Sequence, residues 1–105
     1  MRYLLKIRFP VDAGNSALTD PQFGEKMQRL LAEIKAETAY FTSINGQRGG
    51  YIVVNMEDAS EIPAIAEPFF LWLKADLEFM PVMLPADLAR AGPSIAAACR
   101  NWADH

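Results

Sequence analysis

Two cations and one carboxylate are spaced so that they can meet on one face of a β-sheet. Lys6 and Arg8 are two residues apart in the segment Arg2–Phe9, where the side chains alternate in character. Side chains two residues apart on a strand point to the same face. In a second alternating segment, Ala75–Met83, the alternation places Glu78 on the same sheet face. We therefore expect the charges of Lys6, Arg8 and Glu78 to converge on one sheet face.

Two tyrosines and an amide are expected on this same face. Tyr40 and Tyr51 flank the dipeptide Asn45-Gly46, which is the strongest short-range signal for a β-hairpin. A loop of two or of four residues gives the same pairing parity, so Tyr40, Tyr51 and Asn55 share a face in either case. Strand parity therefore places Asn55 beside the two cations.

These charged and phenolic groups have two interpretations. In the first, Lys6 and Arg8 hold a small anionic or enol-like molecule, Tyr40 and Tyr51 donate hydrogen bonds to it, and Glu78 is the acid or base. In the second, Lys6 or Arg8 forms an ion pair with Glu78 across neighbouring strands and helps to set the register of a dimer. The second interpretation is the simpler one because it needs no ligand.

An aromatic cluster is a second candidate site. Trp72 follows Phe69 and Phe70 in an apolar segment that Pro68 is expected to kink or break. Together with Tyr3, these rings could line a pocket between the sheet and the kinked helix. Burial in the core explains the same aromatic residues more simply.

The cysteine and histidine content excludes several kinds of chemistry. Cys99 is the only cysteine, which rules out an internal disulfide and zinc sites built on paired cysteines. His105, the last residue, is the only histidine, so no Ser/His/Asp or Cys/His triad can be assembled from an internal histidine. We expect no metal and no other cofactor.

The charge and hydropathy patterns limit the partners and the location. Ten basic and thirteen acidic side chains give a formal net charge of -3, without the basic field that nucleic-acid binding requires. Apolar runs are shorter than the roughly 18–20 residues that span a bilayer. Residues 1–10 carry charges and are too short for a signal-peptide core. We expect a cytoplasmic protein that binds neither nucleic acid nor membranes.

The periodicity of the chain predicts one domain over residues 1–105 with helical pieces in its tail. Val11–Thr19 reads as a loop, because its residues are small and polar. The other predicted elements are a strand at Arg2–Phe9, a helix from Asp20 to about Glu37, strands at Ala39–Ile44 and Tyr51–Met56, a capped helix from Asp58, a strand at Ala75–Met83, and tail helices at Pro85–Ala91 and Pro93–Trp102. This order is the βαββαβ pattern of an α+β, ferredoxin-like fold, with an antiparallel sheet of order 4-1-3-2.

The sheet face that the helices leave uncovered is expected to carry an apolar patch. Leu4, Tyr40, Tyr51 and Val53 have the phase of this face. A patch of this kind on a small protein usually marks a protein interface, and a homodimer through the sheet faces is the expected assembly.

The motifs of the chain resemble those of a small bacterial family of uncharacterised proteins. The resemblance covers nearly the whole chain and rests on the opening strand that ends in Phe9-Pro10-Val11, on the hairpin before Tyr51, on the run from Asp58 to Phe69, and on the segment Val82–Leu88. That family is similar to members of the dimeric α/β-barrel superfamily, in which two ferredoxin-like protomers close their sheets face to face.

The resemblance implies a range of functions. The superfamily includes cofactor-free monooxygenases, a lactone isomerase, haem-degrading and haem-peroxidase branches, and members without known activity. The absence of an internal histidine counts against the haem branches. We expect a homodimer that binds a small anionic or phenolic molecule, or a histidine-free, cofactor-independent oxygenase or isomerase. The alternative is a structural or regulatory dimer without catalysis.

Overall fold

Four strands and five α-helices make up the computed structural model, which describes residues 1–103. A short 3-10 turn at Ala59–Glu61 precedes the third helix. The elements in chain order are β1 (Arg2–Arg8), α1 (Val11–Leu18), α2 (Phe23–Glu33), β2 (Thr38–Ile44), β3 (Gln47–Asn55), α3 (Ile62–Leu73), β4 (Asp76–Pro81), α4 (Pro85–Arg90) and α5 (Gly92–Trp102).

The four strands form one antiparallel sheet of order β2-β3-β1-β4, which reads β4-β1-β3-β2 from the other edge. Strand β1 is central and pairs with β3 on one side and β4 on the other. The chain is therefore an α+β fold with an antiparallel sheet, and it is compatible with a ferredoxin-like topology.

The hydrophobic core lies between one face of this sheet and the helices α1, α2 and α3. Alternate residues of β1 and β3 face the helices, because side chains on a strand alternate between its two faces. The largest side chains that are fully buried come from these two strands and from α3: Leu5, Ile52, Val54, Phe69 and Leu73. No charged or polar side chain is buried among the described residues.

The prediction of a loop over Val11–Thr19 is wrong, because Val11–Leu18 is helix α1. Its polar, small-residue composition resembles a loop, but Gly14 and Ala17 are three residues apart and both are buried. Their small size lets the helix approach its neighbours closely. Helix α1 packs against α3 and so covers part of the core.

Helix α2 is shorter than predicted at both ends. The Asp20 carboxylate accepts a hydrogen bond from the Gln22 amide at 2.9 Å, which forms a turn before the helix rather than its cap. At the other end Lys35 has φ 54°, in the left-handed region, and this ends the helix before Glu37. Neither end of the helix has a distinctive sequence signal. Lysine is uncommon in the left-handed conformation, so the sequence gives no reason to end the helix at Lys35.

The predicted hairpin is confirmed with a two-residue loop. Asn45 and Gly46 both have positive φ angles, 50° and 79°, as a type I′ turn requires. Strand β3 begins at Gln47 rather than Tyr51, so the hairpin is longer than expected. Gly50 has no room for a Cβ atom, which would overlap the Tyr40 carbonyl oxygen of β2. The two strands thus approach closely at this glycine.

A capping box begins the 3-10 turn that precedes α3, and α3 continues through Pro68. The Asp58 carboxylate accepts a hydrogen bond from the Ser60 amide at 2.8 Å, and the Glu61 carboxylate accepts one from the Asp58 amide at 2.9 Å. The expected break at Pro68 does not occur, since Ile62–Leu73 is one helix. The buried residues Ile65 and Phe69, on either side of the proline, attach both halves of the helix to the core.

The two tail helices are confirmed within about one residue of their predicted bounds. The helical spacing of Ile95, Cys99 and Trp102 predicts that Trp102 anchors the tail and that Cys99 packs on its apolar side. In the structure Trp102 is 87% exposed and Cys99 is exposed as well. The tail is therefore helical, and the described residues leave Trp102 largely exposed. His105, which we expect to take no part in catalysis or ligand binding, lies outside the described residues.

Candidate functional site

The uncovered face of the sheet carries the candidate site, and the strand register shows which residues meet there. On β1, Lys6 lies opposite Tyr51 of β3 on one side and opposite Glu78 of β4 on the other. Tyr40 of β2 is paired with Tyr51 and so continues this row across the sheet. The row Tyr40, Tyr51, Lys6 and Glu78 therefore crosses all four strands.

Lys6 and Glu78 face each other in register, yet they form no ion pair within residues 1–103. Arg8 instead contacts Asp76, with 3.2 Å between Nη2 of Arg8 and Oδ2 of Asp76. The expected ion pair of Lys6 or Arg8 with Glu78 is thus wrong for the single chain. The described residues leave both the Lys6 ammonium and the Glu78 carboxylate without an opposite charge in contact.

Asp76 is a residue of the site that sequence reasoning missed. Neighbouring antiparallel strands run in opposite directions, so a register that pairs Lys6 with Glu78 also pairs Arg8 with Asp76. The signal was therefore present in the spacing of the two charged pairs. Because the Asp76 side chain is largely exposed, this ion pair contributes little to stability, about 0–1 kcal/mol.

A cleft of about 240 Å³ lies at the charged end of the row. Its lining combines two cations, two carboxylates and one apolar side chain: Lys6, Arg8, Asp76, Leu77 and Glu78. The arrangement can accept a small polar molecule at Lys6, with Glu78 on the neighbouring strand. The hydroxyl groups of Tyr40 and Tyr51 have no hydrogen-bond partner within the described chain.

Asn55 shares the uncovered face but does not join this row, which corrects its expected position. It pairs in register with Arg2, at the opposite end of β1 from Arg8. Its amide nitrogen donates a hydrogen bond to Oε1 of Glu37 at 2.7 Å, and Arg2 contacts Oε2 of the same carboxylate at 2.9 Å. Asn55 therefore takes part in a separate polar cluster at the edge of the sheet.

Trp72 lies on the helical side of the sheet, where it packs against α2. Its ring is 5.3 Å from the ring of Phe23, and the Lys26 ammonium is 4.9 Å from its centroid. Phe69 is fully buried, whereas Phe70 is exposed, so these aromatic residues do not form one pocket. Trp72 instead borders a shallow cleft of about 340 Å³ together with Lys26 and Leu71.

An apolar groove that the sequence did not reveal lies on the helical side beside β2. We call it the β2 groove. It has a volume of about 390 Å³ and is lined by apolar residues of α1, α2 and the sheet, with Arg48 at its border: Phe9, Leu18, Phe23, Met27, Phe41 and Arg48. The Phe41 side chain is 60% exposed although it points to the core side of the sheet. Helix α1 forms part of the groove, and the sequence predicts a loop in its place.

The described residues show neither a metal-binding cluster nor a membrane-spanning helix. In residues 1–103, His, Cys, Asp and Glu side chains do not gather in groups of three that could hold a metal ion. Within the same range, every helix is too short or too polar to cross a bilayer.

Comparisons with known proteins assign no family to the chain. Protein-family models give no match, and a comparison with curated proteins finds no significant similarity. The resemblance to the dimeric α/β-barrel superfamily therefore stays a prediction from the motifs.

Proposed function

We propose that the protein is a homodimer of the dimeric α/β-barrel type that binds a small organic anion between its two sheets. The observation that carries this proposal is Lys6. It lies in register between Tyr51 and Glu78 on a sheet face without helices, and no carboxylate of the described chain neutralises it. A carboxylate or phenolate is the ligand class that an ammonium and two phenolic hydroxyls recognise.

The apolar residues of the uncovered face support the dimer. Leu4, Val53 and Met80 are only partly buried in the single chain, and Tyr40 is exposed. Face-to-face packing of two such sheets would remove these side chains from water, which is the main favourable term in association. It would also enclose Lys6 in a chamber of lower polarity, where its attraction to an anion is stronger than in water.

The arrangement of Lys6 and Glu78 also supports catalysis. Glu78 lies beside Lys6 on the neighbouring strand, so it can accept or donate a proton at a ligand held by the ammonium. A histidine-free, cofactor-independent oxygenase or isomerase would use the site in this way. A cytoplasmic location is part of the same prediction.

The alternative is a structural or regulatory dimer that binds no small molecule. The ion pair between Arg8 and Asp76 favours this alternative, because it occupies one of the two cations without any ligand. In such a dimer, Lys6 would be neutralised by a carboxylate of the second copy.

Ligand binding to the intact protein distinguishes the two functions. Thermal melting is measured with benzoate, with phenol and with neither, for the wild type, for Lys6→Met and for Arg29→Met. Arg29 is the matched control, since it is a cation on α2, on the other side of the sheet. An anion at 100 times its dissociation constant stabilises the folded state by about 2.7 kcal/mol.

We expect benzoate to raise the melting temperature of the wild type and of Arg29→Met but not of Lys6→Met. If both variants lose the stabilisation by benzoate, the effect depends on charge in general rather than on Lys6. If Lys6→Met keeps the stabilisation, benzoate binds at another site. Either result contradicts the proposed site. No stabilisation of the wild type by either probe favours the structural dimer.

A further inference from the structure

The segment after β4 projects from the rest of the chain. We call residues 82–103 the arm; they include α4 and α5, which contact each other and have no buried residue. The Cα radius of gyration is 17.8 Å, against about 13 Å for a compact domain of this length. The molecule measures 60 Å along its longest axis and 28 Å and 21 Å along the others.

The arm exposes large apolar side chains along both helices. Ile95, Cys99 and Trp102 follow one another at spacings of four and three residues and thus share one side of α5. The exposed large apolar residues of the arm are Met83, Leu84, Leu88, Ile95 and Trp102.

Helices of this length are only marginally stable in water unless an apolar side packs against another surface. Helix α4 has 6 residues and α5 has 11, whereas isolated helices shorter than about 12–15 residues are marginal even in favourable sequences. Most helical stability in proteins comes from packing of an apolar side. The described residues bury no residue of α5, so we expect its apolar side to pack on a further surface.

The exposed area matches a second copy of this chain as that partner. The chain exposes 7260 Å², about 1,400 Å² more than the roughly 5,900 Å² expected for a compact monomer of its mass. Two copies together expose an excess of about 2,700 Å², within the range of roughly 2,000–5,000 Å² that obligate dimers bury. Mutual docking of two arms would account for an excess of this size.

The β2 edge is the part of a partner that the arm meets first. Strands β2 and β4 are the two edges of the sheet. If the two-fold axis of the proposed dimer runs parallel to the strands, closing the two sheets into a barrel places β4 of one copy beside β2 of the other. The arm follows β4 directly. On β2, Tyr40 and Phe41 are exposed on opposite faces, and Phe41 borders the apolar β2 groove.

We propose that the arm of each subunit packs along the β2 edge of the second subunit, with the apolar side of α5 against Phe41 and the β2 groove. This inference rests on the proposed sheet-face dimer. The exchange covers the exposed edge strand and the apolar side of α5 together.

Fluorescence of Trp102 tests this directly, because the chain has only two tryptophans. The full-length Trp72→Phe variant leaves Trp102 as the single reporter. Emission and acrylamide quenching are followed on dilution, with light scattering on the same samples. We expect blue-shifted, protected emission in the dimer, and a red shift with faster quenching as the dimer dissociates.

The contrary results distinguish the docking of the arm from the formation of the sheet-face dimer. A dimer in which Trp102 emits as a free, easily quenched side chain would overturn the docking of the arm and leave the sheet-face dimer standing. A monomer at every concentration would overturn both proposals. Protected Trp102 that does not respond to dissociation would show that the arm folds onto its own chain, which also contradicts the exchange.

Trp102→Ala and its control, both full-length, keep the test independent of the Trp72→Phe substitution. Trp102→Ala is expected to raise the dimer dissociation constant about tenfold, equivalent to about 1.4 kcal/mol. The control is Leu71→Ala, which removes a side chain that is 80% exposed on α3 and should leave the constant unchanged. Equal effects of the two would contradict the proposal.

Phe41→Ser in the Trp72→Phe background tests the position on the partner. If α5 packs against Phe41, this variant shifts the Trp102 emission to the red at protein concentrations where the parent is dimeric. Unchanged protection of Trp102 in a dimeric Phe41→Ser variant would exclude the β2 edge as the docking surface.

Discussion

At the residue scale, the site depends on how the charges of one sheet face are distributed. Alternation along β1 and β4 was sufficient to predict that Lys6, Arg8 and Glu78 share a face, since parity follows from strand geometry alone. The actual partners depend on register and on side-chain conformation. As a result, Arg8 forms an ion pair with Asp76, whereas Lys6 lies opposite Glu78 without forming one. Asn55 shows the same limit, because parity gave its face but not its distance from Lys6.

Glu78→Gln is the substitution that separates the two interpretations of this face. If Lys6 binds an organic anion, removal of the neighbouring negative charge strengthens the attraction, and we expect benzoate to bind more tightly. The dimer should be retained, because Glu78 forms no ion pair with Lys6 in the chain. Titration calorimetry gives the affinity and light scattering gives the mass.

Weaker benzoate binding by Glu78→Gln would contradict the proposal that Lys6 binds an anion beside Glu78. Dissociation of the variant at concentrations where the wild type is dimeric would instead support a carboxylate that bonds across the interface. Glu33→Gln is a suitable control, since it removes an exposed carboxylate from α2 on the other side of the sheet.

At the element scale, local signals predicted those elements whose ends have distinctive residues. Asn45-Gly46 predicted the hairpin and Asp58-Ala-Ser-Glu61 predicted the start of the helical segment, because each motif satisfies particular backbone groups. Helix α1 was missed, since its formation depends on packing of Gly14 and Ala17 rather than on local propensity. The end of α2 was predicted too late because Lys35 adopts the left-handed conformation, where glycine is usual.

The capping box of the 3-10 turn before α3 makes stability depend on pH in the acid range. The pKa of Asp58 is lowered by its hydrogen bond from the Ser60 amide, and that of Glu61 by bonds from the amides of Asp58 and Glu57. A carboxyl group with a lower pKa in the folded state stabilises that state above its unfolded pKa, about 4. The contribution is lost as the pH falls through the lowered values.

Asp58→Asn tests this dependence, because asparagine retains a capping oxygen without the charge. We expect the wild type to melt at a higher temperature than the variant at pH 7 and the difference to shrink as the pH is lowered below about 4. Calorimetry at several pH values measures it, with Glu33→Gln as a control on α2. A difference that stays constant or grows in acid would show that the Asp58 charge does not stabilise the cap.

Close approach of β2 and β3 at Gly50 predicts a sensitive position in the sheet. A Cβ atom there would overlap the Tyr40 carbonyl oxygen, so Gly50→Ala must push the two strands apart. Such overpacking costs about 1–3 kcal/mol. Ser43→Ala, an exposed change on the neighbouring strand, should stay within about 0.5 kcal/mol. Denaturant unfolding compares them, and equal free energies of unfolding would contradict the close approach.

At the scale of the whole molecule, the chain exposes more surface than a compact monomer of its mass would. The uncovered sheet face, the β2 groove and the arm all present apolar side chains to water. The sequence predicted the apolar sheet face from strand parity. It did not predict the β2 groove or the extended arm, because both depend on where helices lie relative to the sheet.

The dimer should be sensitive to charge on the sheet face and insensitive to charge on the helices. We expect Val53→Glu to prevent association, because it places a carboxylate among the apolar side chains of two packed sheets. Leu71→Glu is the matched control, since it introduces the same charge at an exposed position of α3. A dimeric Val53→Glu protein would contradict packing through the sheet faces.

The most direct test of the account is the mass of the wild-type protein in solution at micromolar concentration. Sedimentation equilibrium should return twice the chain mass of 11.7 kDa, because in the proposed dimer the sheet faces of two copies pack together. A single stable species at the mass of one chain would contradict the dimer, and with it the chamber around Lys6 and the exchange of the arms.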